Sequence, residues 1–100
     1  MSKEKPTHDK PVIFAEIVEK WGRVAQMIMT LEETAELQKE VCKILRGDYS
    51  SSRMDSLATE IADVELMCQQ LKFMFSLESK VEIEMDYKLE RVIKRLHKEG

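Results

Sequence analysis

Apolar residues recur at helical spacing through most of the chain, and polar residues fill the positions between them. Val12, Ile13, Ile17 and Val18 predict a short first helix, with Asp9 able to cap it and Pro11 to open it. Gly22, after Trp21, weakens or bends the helix there. Met27, Leu31, Leu37, Val41, Ile44 and Leu45 form one arc of a long helix over about residues 23–46, and Gly47 supplies its stop. Residues 48–52 read as a polar turn. Leu57, Ile61, Val64, Met67, Leu71, Met74 and Phe75 share a broad apolar arc, predicting a second long helix from about Arg53 to Phe75, capped by Ser51 or Ser52. Residues 76–79 interrupt it, and Ser79 with Glu82 makes a capping-box pattern. Val81, Met85, Leu89, Val92 and Leu96 then predict a last, highly charged helix. Nothing reads as a strand. The expected fold is all-α: an antiparallel bundle of about four helices over residues 11–100, after a flexible N-terminal tail over residues 1–10.

The polar positions carry a second pattern. Glu33 and Glu36 are three residues apart, as are Glu60 and Asp63, so each pair occupies one helix face. Twenty-three residues separate the pairs, enough to finish one helix, turn and begin the next. In the second long helix Glu60 and Asp63 fall inside the flank of the apolar arc. In the first, Glu33, Glu36 and Glu40 border the arc on the Leu37 and Ile44 side. Uncompensated carboxylates at such positions are expensive, and four together repel. A divalent cation is the economical answer. With oxygen donors and no nearby His or Cys, Mg²⁺ is expected, with Mn²⁺ as its substitute. Either pair alone is common on a solvated helix face; the two together, at this separation, favour the site.

Composition narrows the field. Of 19 acidic residues in 100, four sit in these pairs; the remaining 15 nearly balance the 16 Lys and Arg. The surface is therefore not that of a nucleic-acid binder. A 43% hydrophobic, 35% charged chain suits a soluble helical domain. So short a chain buries little surface alone, and Leu66 and Phe73 lie opposite the main arc of their helix, so a homodimer or homotetramer is expected. Cys42 and Cys68 fall on apolar arcs and are expected as buried free thiols of a reducing, cytoplasmic compartment. The apolar runs are too short for a membrane span, and no secretory signal, repeat or sustained heptad is present.

The phrases Leu31-Glu32-Glu33-Thr34-Ala35-Glu36-Leu37 and Glu60-Ile61-Ala62-Asp63-Val64 resemble the EExxE and ExxD signature of the MazG-like nucleotide pyrophosphohydrolases. The resemblance covers about residues 21–71 and extends weakly into the last helix. It implies an all-α fold assembled as a dimer or tetramer. It further implies Mg²⁺-dependent cleavage of nucleoside triphosphates to monophosphate and pyrophosphate. By motif position Glu33, Glu36, Glu60 and Asp63 are the implied catalytic metal ligands, and Glu32 matches the first acid of the signature. Similar proteins carry basic residues after the ExxD helix, often with an Asn beside a lysine; here Leu89 and Glu90 follow Lys88.

A phosphorylated substrate needs cations. Lys88, Arg91 and Arg95 share a face of the last helix, either as phosphate contacts or as a solvated basic face. Lys39 and Lys43, one turn beyond the acids, are further candidates. Gln26 lies close to Glu33 on the helical wheel and can reach a nucleotide. Trp21, the single tryptophan, can stack on a base, although its apolar setting favours the core. His8 and His97 read as surface residues. No Ser-His-Asp or Cys-His arrangement is present, and the lack of Glu-x-x-His argues against a di-iron bundle. A reading from another class stays open: a non-catalytic helical interaction module whose acids line a structural metal site or a polar seam.

Overall fold

A computed structural model describes residues 9–98, and within them the chain is all-helical. Four helices follow one another: α1 (Lys10–Trp21), α2 (Arg23–Leu45), α3 (Ser51–Phe75) and α4 (Glu78–Lys98). Residues 1–8, which include most of the expected tail and His8, lie outside the described residues. No helix among the described residues is long and apolar enough to cross a membrane.

Local chemistry sets the boundaries. Asp9 occupies the cap position of α1, although its side chain makes no capping bond, and Pro11 sits in the first turn. Gly22 breaks α1 from α2 at φ 88°. α2 closes with the amide of Gly47 donating to the Ile44 carbonyl and that of Asp48 to the Lys43 carbonyl. This closure requires a left-handed residue, and Gly47 supplies it at φ 107°. α3 closes in the same way, through Ser76 to Phe73 and Leu77 to Lys72, but there the left-handed position is Ser76, at φ 54°. Two expected caps move. Ser50, not Ser51 or Ser52, caps α3, its hydroxyl accepting from the Arg53 amide at 3.2 Å. Ser79 lies inside α4, so the capping box is not used: the tight α3 closure lets the next helix begin two residues after Ser76.

α2 and α3 are joined by five residues and pack antiparallel, with the most extensive contact of any helix pair. Glu40 meets Arg53 near the turn, Glu33 meets Asp63 mid-way, and Gln26 and Gln70 line one cavity at the far end. α1 folds across the open end, where Phe14 packs on Phe73 with ring centroids 6.0 Å apart. Phe73, expected opposite the main arc, thus finds its partner in α1. α4 contacts only α3, so one chain does not close the expected four-helix bundle. A groove of about 570 Å³ runs between α3 and the start of α4, walled by Cys68, Leu71, Leu77, Val81 and Met85.

The interior is small. Among the described residues the buried apolar side chains are Phe14 and Met74, and three polar ones, Gln26, Glu40 and Gln70, are buried with them. The radius of gyration is 17.1 Å, against about 13 Å for a compact chain of this length. The face of α2 turned to α3 is Gln26, Thr30, Glu33, Leu37, Glu40 and Ile44. Four members of its expected apolar arc, Met27, Leu31, Val41 and Leu45, face outward and are exposed. For the same reason Cys42 and Cys68 are free but exposed, which corrects the expectation of buried thiols. Their arcs are apolar, yet both stay exposed among the described residues, Cys68 in the open groove between α3 and α4.

Candidate metal centre and adjoining pocket

Helical spacing fixes the centre. α3 presents Glu60 and Asp63 one turn apart on its α2-facing side, and α2 presents Glu33 opposite them. One carboxylate oxygen from each of the three lies within 4.8 Å of the others, and all three residues are half-buried. Glu33 and Asp63 are close enough to share a proton, which raises the Glu33 pKa. Partial burial and the charges of Asp63, Glu60 and Glu36 push it the same way. Burial, followed by the charges of Asp63, Glu36 and Glu40, raises the Glu60 pKa, with Lys39 opposing. The Oε2 atom of Glu60 is buried without a hydrogen-bond partner. A buried acceptor with no donor, facing two further carboxylates, is a donor set suited to a hard divalent cation.

Glu36 stands apart from the three. It is exposed, and its Oε2 lies 3.7 Å from the Lys39 ammonium. Its charge still reaches Glu33 and Glu60, so it borders the cluster. Glu32 is exposed. Glu40, which bordered the apolar arc in the sequence, is neutralised instead by Arg53. The guanidinium donates from Nη1 to Glu40 Oε1 at 2.6 Å and from Nε to Asp48 Oδ2 at 3.0 Å. The Arg53 hydrogen bond holds the Glu40 carboxyl below its usual range, and the Ser50 side chain together with its amide, which donates to Asp48 Oδ1 at 3.1 Å, takes Asp48 down to about 2 with help from Arg53. Lys43 lies 3.7 Å from Glu40, on the same charge pair. The role of Arg53 was not read from the sequence; a cation just past the polar turn, facing the last acid before it, was the available signal.

The other candidates divide. Lys88, Arg91, Arg95 and His97 are exposed on α4, which touches neither α1 nor α2, and the fold brings none of them to the carboxylates. Trp21 is not core: it is 58% exposed, with the Lys20 ammonium 5.0 Å from its ring centroid. It lines a cavity of about 280 Å³ with Ile17, Gln26, Met29, Met67 and Gln70. Met29 is one turn before Glu33 and Met67 one turn after Asp63, so the cavity continues the carboxylate seam about 6 Å further along. Gln70 was missed in the sequence, although it sits seven residues after Asp63 and hence on the same face of α3. Comparison with protein-family models, curated proteins and solved structures finds no match.

Proposed function

We propose that the chain is a Mg²⁺-dependent nucleoside triphosphate pyrophosphohydrolase. It would convert a ribo- or deoxyribonucleoside triphosphate and water into the monophosphate and pyrophosphate. The observation that carries this reading is the convergence of Glu33, Glu60 and Asp63 around an unpartnered Glu60 oxygen. These three would hold the cation, with Glu36 at the border as the fourth acid; Mn²⁺ could substitute. When bound, the ion supplies positive charge at the phosphates and an acidified water. In the net reaction a water oxygen would bond to the α-phosphorus, the bond from that phosphorus to the α–β bridging oxygen would break, pyrophosphate would leave and the water's protons would pass to solvent.

The remaining roles belong to the chain. Through that cation the carboxylates would hold the polyphosphate end of the substrate at mid-seam. The cavity at Trp21 and Gln26 receives the nucleoside end. Lys39 is the cation beside the acids within one chain. Lys88, Arg91 and Arg95 reach phosphates from another copy in a homodimer or homotetramer, since α4 leaves its own α2 untouched. The extent of uncovered apolar surface also suits a non-catalytic interaction module, and one assay separates the two readings. Pyrophosphate release is measured over canonical, deoxy and modified nucleoside triphosphates in Mg²⁺, for the parent, Asp63→Asn and Glu65→Gln. The enzyme reading expects release, a loss of orders of magnitude in Asp63→Asn, and little change for exposed Glu65. No release from any nucleotide, or equal rates in the parent and Asp63→Asn, overturns it.

A further inference from the structure

α4 is the least supported element of the fold. Among the described residues it contacts only α3, and none of its side chains is buried. Val81, Met85, Leu89, Val92 and Leu96 follow one another at four- and three-residue steps, so they form one stripe along a helix of 21 residues, about 31 Å long. Val81 and Met85 wall the groove against α3. Met85 is nevertheless 64% exposed, and beyond it Leu89 is 60% and Leu96 71% exposed. An amphipathic helix draws most of its stability from packing its apolar face, so this stripe calls for a cover.

Charge indicates what the cover is. Residues 78–87 carry four acids and one base, and residues 88–98 carry five Lys or Arg and one acid. The helix dipole favours that polarity only in the first and last turns, whereas Glu84, Asp86, Lys88 and Arg91 stand in the middle. A helix divided in this way repels a parallel copy of itself and attracts an antiparallel one. The stripe has the same symmetry. About a point between Glu90 and Arg91, Met85 is as far on one side as Leu96 on the other, and Leu89 as far as Val92. A two-fold contact requires such self-matching.

We propose that the stripe of α4 docks on the same stripe of a second copy of this chain. The two helices run antiparallel, with Met85 against the partner's Leu96 and Leu89 against the partner's Val92. The acidic half of each helix then lies along the basic half of the other, and Leu96 of the partner subunit covers the edge of the groove at Met85. α4 touches neither α1 nor α2, so this surface is separate from theirs, and the assignment is independent of the hydrolase reading.

Disulfide trapping reads the orientation. In the full chain with Cys42→Ser and Cys68→Ser, Met85→Cys and Leu96→Cys are made as separate proteins. They are oxidised in a glutathione buffer, each alone and as an equal mixture, and the products are weighed by mass spectrometry. Antiparallel docking expects a cross-linked heterodimer in the mixture, above its yield in urea. It expects none from either variant alone, because like positions then lie about 16 Å apart along the axis, too far for a disulfide. Glu82 borders the stripe beside Met85 and Leu89. Adding Glu82→Lys to both proteins sets a lysine against the partner's basic half, and should cut the heterodimer yield several-fold, more at low salt than at high. Cosedimentation with phosphatidylcholine–phosphatidylserine vesicles is measured in parallel. Homodimers of either variant alone, no heterodimer in the mixture, or a yield that Glu82→Lys leaves unchanged overturns the proposal. Vesicle binding without the heterodimer overturns it too, and gives the stripe to a lipid surface.

Discussion

Leu31→Asp tests whether the outer face of α2 is the contact between copies of this chain. Leu31 is 70% exposed, and Val24 (70%), Ile28 (51%) and Leu45 (78%) extend the same outward surface. The chain exposes 8549 Å², against about 5,900 Å² for a compact monomer of 11.7 kDa. That excess is in the range that stable homodimers bury. Fully burying a Leu side chain stabilises by about 1.5–3 kcal/mol. A two-fold interface uses each residue twice, and 70% of the Leu31 surface remains to be covered, so the change should weaken association by roughly 2–4 kcal/mol. The dissociation constant then rises roughly 30- to 1,000-fold, and more if the new carboxylate is trapped at the interface. Within an isolated chain the same exposed substitution should matter by less than about 0.5 kcal/mol. Sedimentation velocity from nanomolar to micromolar protein separates the two effects. A parent chain that sediments only as a monomer at micromolar concentration, or a Leu31→Asp variant that associates as tightly as the parent, refutes the reasoning.

Three further outcomes are expected. Adding millimolar Mg²⁺ to EDTA-stripped protein should raise Tm, because a ligand of the folded state stabilises by about 2.7 kcal/mol at a hundred times its Kd; calorimetry showing no shift, with or without nucleotide, counts against the centre. Arg53→Gln should lower Tm at neutral pH by stranding the nearly buried Glu40 carboxylate. The folded-state pKa values of Glu40 and Asp48 are depressed, so the stability they contribute is present above the ordinary carboxylate range and lost as pH falls towards about 2. Urea melts of the parent and Arg53→Gln should therefore converge on acidification, and a constant gap between them would contradict this origin. Ser76→Gly should stabilise by about 0.5–1 kcal/mol, read from the urea midpoint, because Ser76 holds a left-handed φ of 54° where α2 ends on a glycine at positive φ.

Helix existence and order were legible because the apolar period and the breaks at Gly22 and Gly47 are local signals. The convergence of Glu33, Glu60 and Asp63 was legible for a related reason: i, i+3 spacing fixes a face, and a short turn between long helices fixes antiparallel pairing. What periodicity does not carry is the rotation of a helix about its own axis. α2 has an apolar arc through Met27, Leu31 and Val41 and a mixed face through Gln26, Glu33 and Glu40, and it turns the mixed face inward. Cys42 and Trp21 were misplaced on the same ground, as apolar positions assumed to face the interior of one chain. Rotation also decides that Glu36, one turn from Glu33, pairs with Lys39 at the surface. Arg53 acts through Glu40 on another helix, and single-helix patterns are silent about such pairs.

The rotation of α2 joins the site to the apolar exterior. Turning Gln26, Glu33 and Glu40 inward places polar groups at the closest contact in the fold, where hydrophobic burial would otherwise supply most of the stability. Arg53 compensates one of them, Glu40. Glu33, Glu60 and Asp63 compensate one another poorly: the pKa values of Glu33 and Glu60 are raised, which is the response of carboxyls crowded without a cation. The same rotation sends Val24, Leu31 and Leu45 outward, where they stabilise nothing within one chain. A helix that spends its inner face on a charged centre draws little stability from hydrophobic burial at that face. Two sources fit this geometry: a cation in the seam, and a second copy on the outer stripe. If both were to bind, each would act on the α2–α3 hairpin: a cation held by Glu33, Glu60 and Asp63 would tie α2 to α3 in the rotation that presents the stripe. Linkage then makes the coupling mutual, with association strengthening cation binding by the same factor as the cation strengthens association.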